Sequence, residues 1–386
     1  MRKPGQSRFL SRWLVVAIGG AAGLCIAGSV GAQQPTAIAT NPDLNAFFEE
    51  VFEREVGLSP IRQSSLGRKT DQLGLWDDLS DAASADRIER VNGDIDYLND
   101  NYADANLSAR DRLSVDLFVY DTERAIRNAE FRRHHYVVDQ FNGQVSGLLT
   151  VLQNNHRIDN LQDAEDYVSR IGGLSDVLRE FVARLEDRAS FGIVAPAFSF
   201  SDVLSDVISM SSGAPIDDTP QSNVLYADFR DKLAALNLDA DVSADLLARA
   251  ADALRGPFRQ GFDVLIEELR RQQQLAEHNR GVWSLPDGED YYKNRIRHHT
   301  TLELEADEIH EIGLREVRRI HDEMRDIQEE VGFSGSLTAF FEFIRNDPDN
   351  YYADSDAGRA AFLNDARKQV DEIYAVVDDD FSVLPK

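Results

Sequence analysis

One hydrophobic rhythm runs through this 386-residue chain, and it is the rhythm of the α-helix. Apolar residues return every three or four positions in segment after segment, and no long alternating stretch suggests a sheet. The pattern is clearest from Gly281 to Glu330, GVWSLPDGEDYYKNRIRHHTTLELEADEIHEIGLREVRRIHDEMRDIQEE, which reads as the spine of the molecule. It begins as a turn, passes a double Tyr and a double His, and becomes a long amphipathic helix. Ile309, Gly313, Ile320, Met324, Ile327 and Val331 project from one side, with Ile312 and Val317 at its margins. Glu316 falls inside that stripe. A carboxylate in apolar surroundings must be paired, protonated or turned toward a cavity, because an unpaired buried charge is very costly.

Further segments carry the same period. Asn41 or Asp43 can cap a first helix whose apolar side is Leu44, Phe47, Phe48, Val51 and Phe52, and Gly57 closes it before the Ser59-Pro60 turn. A second helix is expected from Asp81 to Tyr102. Ser108-Ala-Arg-Asp111 resembles a capping box with Asp in place of Glu and opens a third. Asp163–Asp187 places Tyr167, Ile171, Leu174, Leu178, Val182 and Leu185 inward, with a bend expected at Gly172-Gly173. A helix from about Ser243 to Gln274 must kink or divide at Pro257. Val137–Gly143 reads as loop-like or briefly extended, and residues 211–222 as a surface loop. Ser336 caps a Phe-rich segment, and a last helix covers Ser355 to Val377. The fold class is therefore all-α: long amphipathic helices around one extended core, or two helical lobes.

The first 32 residues read as an export signal. Arg2, Lys3, Arg8 and Arg12 precede the apolar run Trp13–Ile26, and Val30-Gly31-Ala32 is a small-residue cleavage site. The run is short for a membrane span, and Gly19-Gly20 interrupts it. The expected location is periplasmic or extracellular, followed by a linker over 33–41 and a helical domain over 42–386. Cys25, the only cysteine, lies in the leader, and Leu24 before it argues against lipidation. The mature chain then has no thiol for a disulfide or for nucleophilic work. The balance of 41 Lys and Arg against 68 Asp and Glu, net -27, repels nucleic acid and anionic lipid. It serves solubility, or the steering of cationic substrates.

The search for chemistry turns on histidine. A helix-borne zinc peptidase needs two His one turn apart with a Glu between them, H-E-x-x-H. His310-Glu311 begins that pattern, but Leu314 stands where the second ligand belongs. His310 and His321 share a helix face, yet roughly 16 Å of helix axis separates them, too far for one ion. His298 and His299 point in different directions in a helix or a strand. Each of these is either a polar-edge or core residue or a ligand-facing one. Glu316 is either an ion-paired acid holding helices in register or a carboxylate on a substrate cleft or behind a metal ligand. Gly313, one turn earlier, lets a backbone or ligand approach. Tyr291-Tyr292 read as packing residues, with substrate contact the alternative.

These residues also carry a resemblance. Gly281-Val-Trp-x-Leu-Pro-Asp-Gly288, Tyr291-Tyr292, His298-His299-Thr300 and His310-Glu-Ile-Gly-Leu-Arg-Glu-Val-Arg-Arg-Ile320 resemble, in this order, the bacterial "domain of unknown function 885" family. Leu58-Ser59-Pro60, Asp139-Gln140-Phe141-x-Gly143, Gly192-Ile-Val-Ala-Pro196 and Phe381-x-x-Leu-Pro-Lys386 agree with it, so the likeness covers most of the mature chain. Glu305 departs from the Thr or Ser expected as helix cap, which predicts a fraying helix start. The resemblance implies an exported, all-helical protein similar to gluzincin-type zinc metallopeptidases. It also implies a metal motif of the H-E-x-x-x-G-H-H type, placed after the Leu-Pro-Lys element. That element ends this sequence, so no zinc ligand carries over. Zinc is expected only with a C-terminal half, and no cofactor is expected in this chain. The matched positions that could line a cleft or support a metal ligand are Tyr292, His298, His299, His310 and Glu316. Two readings follow. The chain is the N-terminal portion of an exported peptidase-like protein, inactive without its other half, with a peptide as substrate. Alternatively, it is a complete non-catalytic helical protein that binds peptides or a protein partner in the periplasm. A bare apolar patch near the C-terminus favours the first, and a closed polar surface there the second.

Overall fold

The computed structural model describes residues 41–141, 143–276 and 281–381. The export signal, Cys25, most of the linker and the Leu-Pro-Lys end lie outside the described residues. Helices account for the architecture, and among the described residues the only β pairing is an isolated bridge between Ala214 and Ser222. In chain order the helices are α1 (Pro42–Gly57), α2 (Pro60–Ser65), α3 (Asp81–Tyr102), α4 (Ala109–Glu130), α5 (Gln144–Thr150), α6 (Leu161–Ser190), α7 (Phe200–Met210), α8 (Val224–Ala234), α9 (Ala240–Ala253), α10 (Arg259–Leu275), α11 (Gly288–Thr300), α12 (Ala306–Glu330), α13 (Leu337–Asn346), α14 (Asp356–Tyr374) and α15 (Val377–Asp380). None of them is long and apolar enough to cross a membrane. Contacts divide the chain into a unit Ala39–Leu304 and a unit that includes Glu305–Lys386.

In the first unit the spine is α6, not the 281–330 stretch. Tyr167, Ile171, Leu174, Leu178 and Leu185 are buried, as their spacing predicts, and α7, α8, α9 and α10 pack around them through Phe200, Phe229, Leu246, Phe258, Phe262 and Leu269. Full burial of each large side chain stabilises by about 1.5–3 kcal/mol, so this cluster dominates the unit. Asn160 starts α6 by accepting from Asp163 N. Gly173 leaves room for Trp76, whose indole Cδ1 would lie 3.1 Å from an added Cβ. Gly261 on α10 is a closer approach still: a Cβ there would sit 2.8 Å from the Ser175 Cα on α6.

Pro257 does not break the long helix of residues 240–275 but widens it. A π turn over Leu254–Phe258 joins α9 to α10 and accommodates the proline ring inside a continuing helical path. A second π turn, Val151–Asn155, extends α5. Its carbonyl end is closed by Lys232, whose Nζ donates to Leu152 O at 2.8 Å and Gln153 O at 2.7 Å. The same ammonium pairs with Asp228, which accepts from the buried Tyr167 hydroxyl at 2.7 Å. A smaller cluster of Leu44, Leu98, Tyr102 and Val115 joins α1, α3 and α4. Asn41 caps α1, and Ser108 caps α4 by accepting from Asp111 N at 3.1 Å. Asp111 then accepts from Asn41 N at 3.0 Å, so the cap of one helix fastens the start of the other.

The Leu58-Ser59-Pro60 element is anchored by a buried cation. Ser59 Oγ accepts from Arg62 N at the start of α2 and donates to Asp77 at 2.6 Å. The Pro60 carbonyl accepts from Arg170, a fully buried arginine of α6 that also donates to Leu75 O at 3.0 Å and to Ser64 Oγ at 3.0 Å. Nη1 of the same guanidinium points an N–H at His156 Nδ1, 3.3 Å away, while His156 Nε2 donates to Asp163 O at 2.9 Å. That pair of bonds fixes His156 as the neutral tautomer with its proton on Nε2. Burial is the main reason its pKa falls to about 4, with Arg170 and Lys232 adding to it.

The second unit has a different character. Gln328 Nε2 donates to Gly335 O at 2.6 Å and folds the end of α12 onto the turn before α13, where Phe333 packs on Phe340 and Phe343. Ser336 caps α13, and Ser355 caps α14. Tyr352 donates to Asp365 at 2.7 Å. Among its described apolar side chains, Phe340 and Tyr352 are buried. The stripe of α12 is only partly covered: Ile309, Ile312, Met324, Ile327 and Val331 are half-buried, while Val317 and Ile320 are 51% and 39% exposed and Leu314 beside them 40%. Glu316 therefore does not meet the surroundings expected for it. It lies in solvent, paired with Arg319 at 2.8 Å, three residues along the same helix. Periodicity identifies an apolar side but not whether protein covers it, and a carboxylate on a wet surface carries no burial penalty. Gly313 likewise faces open space rather than a neighbouring backbone. Glu305 occupies the position before α12 and makes no side-chain cap bond.

Candidate functional site

Within the first unit a cleft of about 470 Å³ opens among His134, His135, Tyr136, Asp139, Gln144, Val282, Leu285 and Tyr291. Tyr136 and Leu285 also line a second hollow of about 310 Å³, with Val194, Pro196 and Leu275. Two chain segments far apart in sequence build the cleft. One is the turn Arg132–His134 that follows α4, continuing to Gln144. The other is the 281–288 turn with the first residues of α11.

The end of α6 holds the first segment. The Arg188 guanidinium, nearly fully buried, donates to the carbonyls of Arg132 at 3.0 Å and His135 at 3.1 Å. One residue earlier, Asp187 accepts from Arg133 Nε at 2.8 Å. Glycine shapes the second segment. A Cβ at Gly288 would lie 2.1 Å from the Val282 carbonyl oxygen, so only glycine lets α11 start where the turn crosses it. The segments meet where His134 Nε2 donates to Pro286 O at 2.7 Å. The His134 ring stacks on Tyr291 with centroids 4.8 Å apart, and His135 meets Tyr291 edge-on at 5.7 Å.

Protonation follows from this packing. The bond to Pro286 places the His134 proton on Nε2, and the buried Nδ1 has no hydrogen-bond partner. His135 stands at the open mouth of the cleft. The protein packed beside its ring, then the charges of Arg295, Arg188, His134 and His298, hold its pKa below the ordinary histidine value. Burial pushes the phenols of Tyr136 and Tyr291 up, so both remain protonated donors. The cleft thus combines a neutral, solvent-reachable imidazole with two phenols and an apolar wall from Val282 and Leu285. Such a set can bind and orient a polar group and exchange a proton with it.

The five residues singled out from sequence do not form one constellation. Tyr292, next to Tyr291, points outward and is exposed. His298 accepts from Asn128 Nδ2 at 3.0 Å, and Asn128 in turn accepts from Asn294 at 2.8 Å, tying α11 to α4. His299 accepts from Arg295 at 2.7 Å. The two imidazoles lie edge to face with centroids 4.9 Å apart. His310 and Glu316 belong to the other unit, on the exposed side of α12. Among the described residues no three His, Cys, Asp or Glu side chains converge as a metal site needs. The donor set present does not fit zinc, with Leu314 in the decisive position.

Sequence reasoning passed over His134, His135 and Tyr136, and it assigned Tyr291 to packing. A signal was available: Arg-Arg-His-His at 132–135 and Arg-Ile-Arg-His-His at 295–299 are two cationic, His-paired runs in a strongly acidic chain.

Residues 60–386 match the family described as bacterial proteins of unknown function, DUF885. This chain belongs to that family. The match takes in the Arg170-anchored α2, both segments of the cleft and the exposed α12. A solved structure from Colwellia psychrerythraea, described as a candidate lipoprotein, aligns with 89% of this chain and 60% of its own at a TM-score of 0.74 and 18% identity. At that identity the likeness establishes the helical fold, and this chain spans about 60% of that protein's length. No curated protein matches the chain.

Proposed function

We propose that this family member is the helical, substrate-holding portion of an exported protein that resembles zinc metallopeptidases. In this reading it does not hydrolyse alone, because the metal-gripping residues come from outside residues 1–386. A peptide is the substrate, and the cleft of His134, His135, Tyr136 and Tyr291 receives it. The observation that carries the reading is the exposure of Leu314, Val317 and Ile320 on α12 and of Phe341 and Phe343 on α13. Large apolar side chains left exposed on neighbouring helices of one unit have the character of an interface awaiting cover. The greater length of the solved relative supports it, and the basic, apolar, small-residue order of the first 32 residues supports export.

The purified 386-residue product, tested against peptide and ester substrates with and without a chelator, is expected to cleave neither and to carry no stoichiometric zinc. Chelator-sensitive cleavage would overturn the proposal. The coding DNA beyond Lys386 is expected to continue in frame to an H-E-x-x-x-G-H-H sequence. A stop codon followed by an unrelated gene would favour a non-catalytic periplasmic peptide- or partner-binding protein instead.

A further inference from the structure

Two cations beside the cleft, Arg295 and Arg188, lack the carboxylate partner that several nearby arginines have. Several arginines on the elements that frame the cleft are matched to acids: Arg124 to Asp121, Arg127 to Glu123, Arg132 to Asp81, Arg133 to Asp187 and Arg297 to Glu303. Among the described residues Arg295 has no such partner, although the chain holds 68 acids against 41 bases. Its hydrogen bond goes to the imidazole of His299. It stands one helical turn beyond Tyr291 on α11, half-buried, and its charge acts on both His135 and Tyr291. Arg188, from the other side of His135, is also without a carboxylate contact and bonds three carbonyls instead.

The cleft contains one lining acid, Asp139, and its Oδ1 accepts from Phe141 N at 2.7 Å. Near its lining, then, stand an uncompensated guanidinium, an imidazole, two phenolic donors, and the apolar side chains of Val282 and Leu285. His134, nine-tenths buried in the lining, keeps a buried Nδ1 without a hydrogen-bond partner. A buried polar atom left without a partner costs about 1–3 kcal/mol, so structures keep few of them without cause.

We infer that the cleft recognises a carboxylate, the C-terminal carboxylate of a peptide, through Arg295 and His135, with an apolar side chain of that peptide against Tyr291, Val282 and Leu285. This rests on the cleft being the place where peptide is held. Guanidinium–carboxylate bonds are about twice as strong as neutral ones and suit recognition of a planar anion.

Calorimetric titration of the full chain with Leu-Ala-Phe and with its C-terminal amide tests the inference. The free acid is expected to bind at least about tenfold more tightly, and Arg295→Gln to remove that advantage. In the unaltered protein, NMR titration is expected to show the His135 pKa rising when the free acid is bound and staying put with the amide, a readout independent of how the variant folds. Equal binding of acid and amide would overturn the carboxylate assignment while leaving the cleft as a peptide site. Failure of both peptides to bind would overturn the peptide site as well.

Discussion

At the scale of single residues, the polar groups buried at and before the start of α6 matter most. His156 has no exposed surface, and its pKa is pushed down to about 4 from 6.5. A histidine that must stay neutral when folded binds fewer protons than the same residue unfolded once pH drops below 6.5. Its contribution is complete above that pH and is lost as pH falls through about 4. The shift corresponds to on the order of 3 kcal/mol. Urea unfolding of the wild type at pH 7 and pH 4 is expected to show a loss larger by about that amount than in His156→Gln. Equal losses in the two proteins would show that His156 is not the buried neutral group described. Arg170 illustrates why such residues escape sequence reading. Nothing in the run around it marks an arginine as buried; its four partners lie on α2, near Trp76, and at the turn before α6.

At the scale of helices, spacing and caps carried most of the information. The bounds of α1 and α3, the start of α4 and the caps Asn41, Ser108, Ser336 and Ser355 follow from local chemistry that needs no tertiary partner. The shorter helices α2, α5, α7 and α8 were not read, because six to eleven residues offer too few turns for a period to declare itself. The π turn at Pro257 also needed the fold, since a proline alone does not say whether a helix stops or widens. The crossing of α6 and α10 depends on Gly261. Gly261→Ala is expected to cost about 1–3 kcal/mol, because the new Cβ meets backbone at Ser175 rather than a yielding side chain. Thermal unfolding would measure it; an unchanged or raised midpoint would mean that the helices separate freely there.

At the scale of the molecule, the two units differ in what they bury. The 39–304 unit holds a cluster in which Leu174, Leu178, Phe258 and Phe262 have no exposed surface. The 305–381 stretch buries few apolar side chains while Ile373 and Tyr374 remain 65% and 69% exposed. Local stability follows buried apolar contact. Hydrogen exchange is expected to be slow along α6 and α10 and faster by orders of magnitude along α12 and α14. Protection of α12 equal to that of α6 would show that its apolar row is covered in solution.

The order of apolar and polar residues determined that this chain is helical, where its longer helices begin and which side of each is apolar, because those properties depend on neighbours within a few positions. The fold alone decided which of those sides is covered. It made α6 the spine, left α12 partly uncovered with Glu316 in solvent, and joined residues 132–144 to 281–291 as one cleft. Such outcomes depend on partners more than a hundred residues away, and no local pattern encodes a contact at that distance.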